Sequence, residues 1–549
     1  MAKRNVALDG ISLTIQDVAA IARDGATVFL SEEARSKMAA SAALVAEWTS
    51  VDRVIYGVTT GFGDLASVAI DKNDVRTLQS NLLRSHACGL GDPFPEDVVR
   101  AIMALRINTL ARGHSGIRVQ TVELLCDMLN AGILPVIPSQ GSVGASGDLC
   151  PLSHLGIALL GLGECVYDGK RMPTSEALSF CGLRPLELEA KEGLALNNGT
   201  AAMAAMGVLA AYDAGNVVRT ADIAAAMSLE AMHGVTAAFD PRPHALRPHR
   251  GQGRVASNMR RLLAGSEILE QHKGTRVQDA YSLRCVPQVH GACRDAIDHV
   301  SGVLETEINS VTDNPLIFPE DQAVISQGNF HGEPLALAMD YFGIAAAEIA
   351  SISERRQARL VDESLSGLPP FLVTGSGLNS GFMIPQYVSA ALVSENKVLA
   401  HPSSVDSIPT SANQEDHVSM GAYSARKART ILENVVKVLG VELLTAAQAL
   451  EFSMPLAPAP GTAAARDCVR GVAPFVERDT YLSPLMDAVC GLVRSGEVVR
   501  AVVERVGELE VAARPRKPGV LPQVPLDRGG LGAERLEPLA HLLSLGTHR

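Results

Sequence analysis

The sequence predicts a mainly α-helical fold, in which an N-terminal domain that is mixed but mostly helical precedes a long central helical bundle. Strand signals are few, whereas long Ala-rich segments keep apolar residues at helical spacing. Hydrophobic residues make up 47% of the 549 residues and aromatic residues only 4%, so Ala, Leu and Val must fill the core. Such small side chains permit helices to pack closely, as they do in bundles.

The elements follow in order along the chain. Short strand candidates occupy 6–9 and 54–56, and 165–172 is typical of a hairpin around Asp168-Gly169. Amphipathic helices are predicted at 96–111 and 119–131, and long helices at 291–309, 334–363, 387–400 and 424–450. We therefore expect an N-terminal domain over 1–200, a bundle domain over 201–510, and a Pro-rich, aperiodic tail over 511–549 that is predicted to be mobile.

Composition excludes several kinds of partner. A net charge of −12 argues against nucleic acid or an anionic membrane as the main partner. Nine scattered cysteines without a CxxC pair are typical of reduced thiols, which predicts a cytoplasmic protein. The basic N-terminus meets Asp9 before any long apolar run, so no signal peptide is expected. The longest apolar stretch, 201–212, ends at Asp213 and is too short to span a bilayer.

Ala145-Ser146-Gly147 is the most informative triplet in the chain. Ala145 and Gly147 have the smallest side chains, and glycine tolerates unusual dihedral angles, so the Gly147 amide nitrogen can reach the Ala145 carbonyl carbon. Loss of water from the closed ring and of the Ser146 hydroxyl would leave an exocyclic methylene conjugated to a carbonyl. That product is an electrophile for amines, whereas ordinary covalent side chains are nucleophiles.

Taken alone, the triplet also fits two other structures. It can be a flexible loop that leads into a helix, with Ser146 or Asp148 as the N-cap. It can also be a phosphate cradle, because Gly141, Gly144 and Gly147 precede a helix-like run, although no Lys-Ser or Lys-Thr follows. The interpretation of the triplet therefore depends on the rest of the chain.

Other polar segments interrupt the helical pattern at widely separated points. Tyr56 lies in a loop with three glycines, which is either a mobile lid or an ordinary turn. Asn198 can cap a helix. Tyr281 and Arg284 lie three residues apart, where the guanidinium can grip a carboxylate or form a surface ion pair. The segment 411–420 combines amides, two carboxylates and a histidine but has no i,i+4 histidine pair, so no metal site is predicted.

Taken together and in order, nine segments resemble the aromatic amino acid ammonia-lyase and aminomutase family, whose members carry a methylidene-imidazolone prosthetic group. The resemblance runs from about residue 7 to 505. The segments are YGVTTGFG (56–63), GASGDLCPLSH (144–154), EGLALNNGT (192–200), QDAYSLRC (278–285), TDNPL (312–316), GNFHGEP (328–334), GLPPFLV (367–373), NSGFM (379–383) and SANQEDHVSM (411–420).

The resemblance implies that Ala145, Ser146 and Gly147 cyclise autocatalytically to 4-methylidene-imidazol-5-one, with no external cofactor and no metal. It also implies a fumarase/aspartase-like helical architecture and a homotetramer whose active sites draw loops from more than one subunit. By motif, Tyr56 is the catalytic base on the lid and Asn198 contacts the prosthetic group. The remaining residues carried over by motif bind the substrate: Arg284 holds its carboxylate, and Gln278, Tyr281 and Phe330 line the pocket.

Two positions favour histidine as the substrate. Within this family, Ser-His at 85–86 occurs in members that use histidine, and a histidine here also appears in some members that use tyrosine. Glu415 stands where phenylalanine- and tyrosine-specific relatives have an amide. A carboxylate accepts a hydrogen bond from an imidazole N–H, whereas a phenyl ring would leave it desolvated and unpaired. We therefore expect elimination of ammonia from L-histidine to give trans-urocanate, with His86 in the pocket and Glu415 as a partner of the imidazole or a second candidate for the base.

Other positions favour a tyrosine-using relative. Val58-Thr59 in the lid and Arg84 before Ser85-His86 resemble tyrosine-using lyases and aminomutases, and Asn197 replaces the usual apolar residue near the prosthetic group. Tyrosine ammonia-lyase or tyrosine 2,3-aminomutase activity is thus the alternative. A family-like scaffold that only binds or supports other molecules is a third hypothesis.

Overall fold

Helices account for 62% of the structure, which confirms the mainly α-helical prediction. The computed structural model describes residues 4–51, 55–65, 68, 70–71 and 73–510. The predicted tail over 511–549 and the first residue of the strand predicted at 54–56 lie outside the described residues. One hydrophobic core contains residues from both sides of position 200, from Val6 to Leu509, and the domain division at residue 200 stays a prediction.

The first 200 residues contain eight helices and seven short strands where they are described. The helices are α1 (Ile15–Arg23), α2 (Glu32–Ser50), α3 (Val75–His86), α4 (Glu96–Ala111), α5 (Val119–Ala131), α6 (Leu149–Leu159), α7 (Thr174–Phe180) and α8 (Glu192–Asn197). The strands are β1 (Asn5–Leu8), β2 (Thr27–Leu30), β3 (Leu90–Pro93), β4 (Leu134–Pro135), β5 (Pro138–Gln140), β6 (Glu164–Tyr167) and β7 (Lys170–Pro173). The helices predicted at 96–111 and 119–131 are observed with those bounds.

These strands pair in small sheets. β1 and β2 are parallel, β3 and β5 are antiparallel, and β4, β6 and β7 form a three-stranded antiparallel sheet. The predicted hairpin is the β6–β7 pair, where Asp168 and Gly169 have φ of 50° and 71°, as a type I′ turn requires. The strand predicted at 54–56 is wrong where it is described, because Ile55 lies in a turn and accepts hydrogen bonds from the Val58 and Thr59 amides at 3.1 and 3.0 Å.

The chain after residue 200 forms the bundle. Its helices are α9 (Ala201–Ala231), α10 (Pro241–Leu246), α11 (Arg250–Leu263), α12 (Glu267–Gln271), α13 (Tyr281–Arg284), α14 (Val286–Glu307), α15 (Glu333–Val361), α16 (Glu363–Ser366), α17 (Met383–Leu399), α18 (Gly421–Leu450), α19 (Pro460–Arg470), α20 (Ser483–Ser495) and α21 (Glu497–Val506), and one hairpin joins β8 (Leu316–Phe318) to β9 (Ala323–Ile325). The four long helices predicted here exist, with shifted ends. α14 begins at Val286, and it can contain Pro287 because a proline is tolerated in the first turn of a helix. α15 ends before Asp362, whose backbone leaves the helical region and whose side chain accepts the Ser364 amide at 2.9 Å.

Small residues let the bundle helices approach one another, as the low aromatic content predicts. A Cβ on Gly207 of α9 would lie 2.8 Å from Leu304 of α14 and 2.9 Å from Met339 of α15. Both distances are shorter than an ordinary carbon contact, so a side chain at this position would require the ends of Leu304 and Met339 to move.

By length and composition alone, α9 and α15 are apolar enough to cross a membrane. α9 continues through Asp213, where the apolar run of the sequence ends, and reaches Ala231. In the apolar windows of α9 and α15, 78% and 67% of the residues are buried inside the protein. A helix that is apolar and buried on most sides is the pattern of a core helix.

Candidate active site

Ala145, Ser146 and Gly147 form a tight turn just before α6. An isolated backbone bridge pairs Ala145 with Gly147, so the two residues lie side by side with Ser146 between them. Gly147 has a φ of 70°, and a side chain there would collide with the carbonyl oxygen of Gly199. Glycine is therefore required at position 147 both for the backbone angle and for the close approach of a second segment.

Asn198 joins this turn to a second loop. Its Nδ2 donates to the Ser146 carbonyl at 2.9 Å and lies 2.7 Å from the Ser146 hydroxyl. Its Oδ1 accepts the Asn314 amide at 2.7 Å, and the side chain is 1% exposed. Asn198 does not cap α9, whose N-cap is Thr200. The amide is thus fully used in holding the Ser146 segment against the loop that precedes β8.

Asp148 lies under the turn and is fully buried. It precedes α6 without capping it: one carboxylate oxygen accepts the Met203 amide at 2.8 Å, and the other accepts the Ser142 hydroxyl at 3.1 Å. Asp148 therefore occupies the N-cap position that the sequence offers for it, but its side chain does not cap the helix, because these distant donors take both oxygens. Burial raises the pKa of this carboxyl to about 6, although the hydrogen bonds oppose the shift.

Three long helices begin beside the turn. Gly332 and Gly421 precede or open α15 and α18, and a Cβ on either would meet the Met203 sulfur in the first turn of α9, at 2.7 and 2.8 Å. A hydrogen bond of 2.9 Å from the Met420 amide to the Val143 carbonyl fixes the start of α18 on the turn. Helix N-termini carry partial positive charge, so this arrangement stabilises negative charge near residues 145–147.

Glu415 and His86 come from distant parts of the chain and interact electrostatically. Glu415 is half-buried in the loop between α17 and α18, and the Thr410 hydroxyl donates to its Oε2 at 2.7 Å. His86 ends α3, with its Nδ1 2.9 Å from the Ser85 hydroxyl. Burial lowers the pKa of His86, and the negative charge of Glu415 opposes that shift. The two side chains predicted to bind an imidazole therefore lie within electrostatic reach of each other.

Tyr56 belongs to a Gly-rich loop that contacts the Glu415 segment. The Tyr56 hydroxyl accepts the Gly63 amide at 3.1 Å, and a Cβ on Gly63 would lie 2.6 Å from the Ser411 hydroxyl. The loop is anchored at its base by Gln79, which donates to the Gly57 carbonyl at 3.3 Å. The predicted lid thus lies against the loop that carries the predicted imidazole partner.

Phe330 is placed in the same region by its neighbour His331. The Nε2 of His331 lies 3.1 Å from the His417 carbonyl, and the two imidazole rings stack with centroids 5.8 Å apart. Since His417 follows Glu415 by two residues, the segment 328–334 is in contact with the segment that carries Glu415.

Gln278 lies just before α13, and Tyr281 and Arg284 lie within it. Tyr281 is 71% exposed, and the Arg284 guanidinium carbon lies 4.7 Å from the centre of its ring. The Arg284 Nε is buried without a hydrogen-bond partner. In the part of the chain that the structure describes, no hydrogen bond or ring contact joins this segment to residues 145–147, so their binding roles stay predictions.

Asn197 is directed away from the turn. Its Nδ2 donates to the Ser153 hydroxyl of α6 at 3.1 Å, its Oδ1 is buried without a partner, and the residue is fully buried.

The described residues contain no group of three His, Cys, Asp or Glu side chains that could hold a metal ion. The sequence did not single out Thr410, Gly199 or Asn314 for a role in the site, since their contacts with Glu415, Gly147 and Asn198 are properties of the fold.

Comparison with known proteins shows that the chain is a carbon–nitrogen lyase. A family model described as aromatic amino acid lyase matches residues 13–471, and the chain belongs to that family. It is 54% identical over 501 residues to the histidine ammonia-lyase of Symbiobacterium thermophilum, covering 91% of this chain and 99% of the relative. It is 52% identical over 507 residues to that of Alkaliphilus oremlandii, covering 92% and 100%.

Solved structures of two kinds are similar to this fold. Histidine ammonia-lyase from Trypanosoma cruzi matches with a TM-score of 0.86 and 44% identity over 92% of this chain and 96% of its own. Tyrosine aminomutase from Streptomyces globisporus matches with a TM-score of 0.88 and 40% identity over 92% and 100%. Backbone similarity therefore does not separate the two activities.

Proposed function

We propose that the protein is a histidine ammonia-lyase, which eliminates ammonia from L-histidine and releases trans-urocanate. Curated relatives of that name, more than half identical over nearly their whole length, support the proposal. The observation that carries it is the half-buried Glu415 carboxylate, which accepts the Thr410 hydroxyl at 2.7 Å, because a carboxylate in this position can also accept a hydrogen bond from an imidazole N–H. A phenyl ring there would leave the carboxylate unpaired, at a cost of about 1–3 kcal/mol.

The proposal includes a 4-methylidene-imidazol-5-one made from residues 145–147 without an external cofactor. The residues present fit this group: the turn places Ala145 beside Gly147, no side chain fits at position 147, and Asn198 is directed at Ser146. Asn198 and the Gly199 backbone would hold it. Once formed, the group supplies an electrophilic carbon for the substrate amine.

The side chains around the turn bind the substrate and move its proton. Tyr56 on the lid is the proposed base for the β-proton, and Glu415 is the second candidate for that role. Arg284 binds the substrate carboxylate, and the proposed pocket lining is His86, Gln278, Tyr281 and Phe330. Holding the β-carbon against the base contributes to the rate through proximity and orientation.

The proposed assembly is a homotetramer with shared active sites. Over the described residues of one chain, no hydrogen bond or ring contact joins the segment 278–284 to residues 145–147, which suits an active site that draws Arg284 from a second subunit. Leu337, Tyr341 and Ile344 of α15 are 53%, 47% and 46% exposed and recur at helical spacing. An apolar stripe of this kind is suited to contact between subunits.

We place the enzyme in the cytoplasm. All nine cysteines are free, including buried Cys126, Cys165 and Cys293. Free thiols in this number suit a reducing compartment.

Tyrosine ammonia-lyase or tyrosine 2,3-aminomutase is the second candidate. The similarity to a solved tyrosine aminomutase favours it, as do Val58-Thr59 in the lid and Arg84 beside the site. Incubation with L-histidine, L-tyrosine and L-phenylalanine in separate reactions, with products identified by mass, tests both candidates. Urocanate supports the proposal, whereas coumarate or a β-amino acid without urocanate contradicts it. Intact mass tests the prosthetic group. If the peptide that contains residues 145–147 has not lost two waters, both enzyme hypotheses are refuted and only the hypothesis of a non-catalytic scaffold remains.

A further inference from the structure

The Glu415 carboxylate is held by a short closed loop. The Thr410 amide donates to the Glu415 carbonyl at 3.0 Å, and the Glu415 amide donates to the Thr410 carbonyl at 3.3 Å, so the two residues form an antiparallel bridge. The Thr410 hydroxyl adds a third bond, to Oε2 of the carboxylate, at 2.7 Å. Over the described residues, Thr410 is the only side chain that hydrogen-bonds this carboxylate.

The residues between them are in an unfavourable conformation. Ser411, Ala412 and Asn413 have φ of 51°, 52° and 73°, the left-handed region that non-glycine residues rarely adopt. Three such residues in a row persist only where surrounding contacts determine them, and strain of this kind concentrates at functional sites. The three Thr410–Glu415 bonds are contacts of that type, because they close the loop around the strained turn.

The strained turn also faces the lid. The segment Gly63–Leu65 packs against Ser411–Asn413, and Gly63 is bonded to the Tyr56 hydroxyl at 3.1 Å. The lid and the Thr410–Glu415 loop are therefore in contact through the strained turn.

We propose that Thr410 is a positioning residue for substrate selectivity: its hydroxyl occupies Oε2 of Glu415 so that Oε1 is directed at the imidazole N–H of the substrate. This inference rests on the proposed function. A carboxylate that rotates freely accepts a hydrogen bond with either oxygen but pays the entropy of becoming ordered when the ligand binds. With one oxygen held, the other is preorganised, and discrimination between imidazole and phenyl rings increases.

The test compares Thr410→Val, which removes the hydroxyl and keeps the shape, with Thr410→Ser, which restores the hydroxyl. The readout is the ratio of inhibition constants of trans-urocanate and trans-cinnamate, which differ only in the ring. Thr410→Val should raise the inhibition constant of urocanate about threefold to tenfold and leave that of cinnamate unchanged. Thr410→Ser should restore most of the lost affinity for urocanate. For L-histidine, Thr410→Val should lower kcat/KM by a similar factor.

Controls separate this effect from misfolding and from failure of the proposed function. Thr430→Val makes the same change at an exposed position of α18 and should alter neither constant. Thermal midpoint and intact mass report whether Thr410→Val folds and loses two waters. Suppose that the wild type converts histidine, but that Thr410→Val binds both inhibitors as the wild type does or binds both more weakly by the same factor. The inference about Thr410 is then refuted, while the proposed function stands. If the wild type makes no urocanate from histidine, the proposed function fails.

Discussion

Replacing Glu415 with glutamine removes one negative charge from the pocket and preserves the size of the side chain. The Thr410 hydroxyl can still donate to the amide oxygen, which places the NH₂ group where the free carboxylate oxygen was. An NH₂ group donates and cannot accept a hydrogen bond from an imidazole N–H. A hydrogen bond to a charged group contributes about 1.5–3 kcal/mol, and because Glu415 is half-buried we take the lower part, about 1.5–2 kcal/mol. At 1.36 kcal/mol per factor of ten, kcat/KM for L-histidine should fall about 10- to 30-fold.

The assay follows urocanate by its near-ultraviolet absorbance over a range of L-histidine concentrations. Glu433→Gln is the matched control, since Glu433 is 46% exposed on α18 and paired with Arg494 on the surface. The loss should be specific to imidazole substrates, so inhibition by cinnamate should not weaken. Unchanged turnover of histidine by Glu415→Gln would refute both the role of Glu415 and the argument for histidine that depends on it.

Three further changes have expected outcomes that follow from the structure. Ser146→Ala should abolish turnover, and the intact mass should show no loss of two waters while the thermal midpoint stays near that of the wild type. Arg356→Met should lower the free energy of unfolding by about 3–5 kcal/mol in urea titration, because it leaves the buried Glu442 carboxylate without its cation; an unchanged urea midpoint would contradict this. Asp148→Asn tests the raised pKa of that carboxyl: the folded wild type binds the proton more tightly than the unfolded chain, whose pKa is near 3.8, so its stability should fall as pH rises from there through about 6. Because Asn does not titrate, the thermal midpoint of Asp148→Asn should rise relative to that of the wild type as pH increases over that interval. A difference between the two midpoints that stays constant with pH would contradict the raised pKa of Asp148.

Elements with a strong local signal were predictable from the sequence. The helices at 96–111 and 119–131 match because their apolar spacing is clear, and the β6–β7 hairpin matches because Asp-Gly is suited to its turn. The strand at 54–56 was wrong because a short apolar run does not distinguish a strand from a turn. Strands of two or three residues such as β4 and β5 escaped prediction, since their pairing depends on partners far along the chain.

The site was predictable to the level of its motifs and no further. Order along the chain brings out Asn198 and Glu415 as family positions and Asn314 as part of the TDNPL segment, but nothing in the sequence pairs Asn198 with Asn314 or Glu415 with Thr410. Asp148 shows the limit most clearly. A carboxylate before a helix predicts an N-cap, yet its oxygens bind the Met203 amide and the Ser142 hydroxyl. Local propensity cannot anticipate a donor that folding brings from 55 residues away.

The Ala-Ser-Gly turn therefore owes its proposed chemistry to the fold rather than to its own sequence. Small residues give the triplet freedom to bend, but the same freedom populates many other conformations in an unfolded chain. In the folded protein, Asn198 holds Ser146, Gly199 excludes any side chain at Gly147, and the start of α18 is bonded to Val143. Each constraint comes from a segment more than 50 residues away, and none exists before those segments are packed. Cyclisation by proximity needs the reacting atoms to be held together, so the proposed electrophile would form only after the chain has folded.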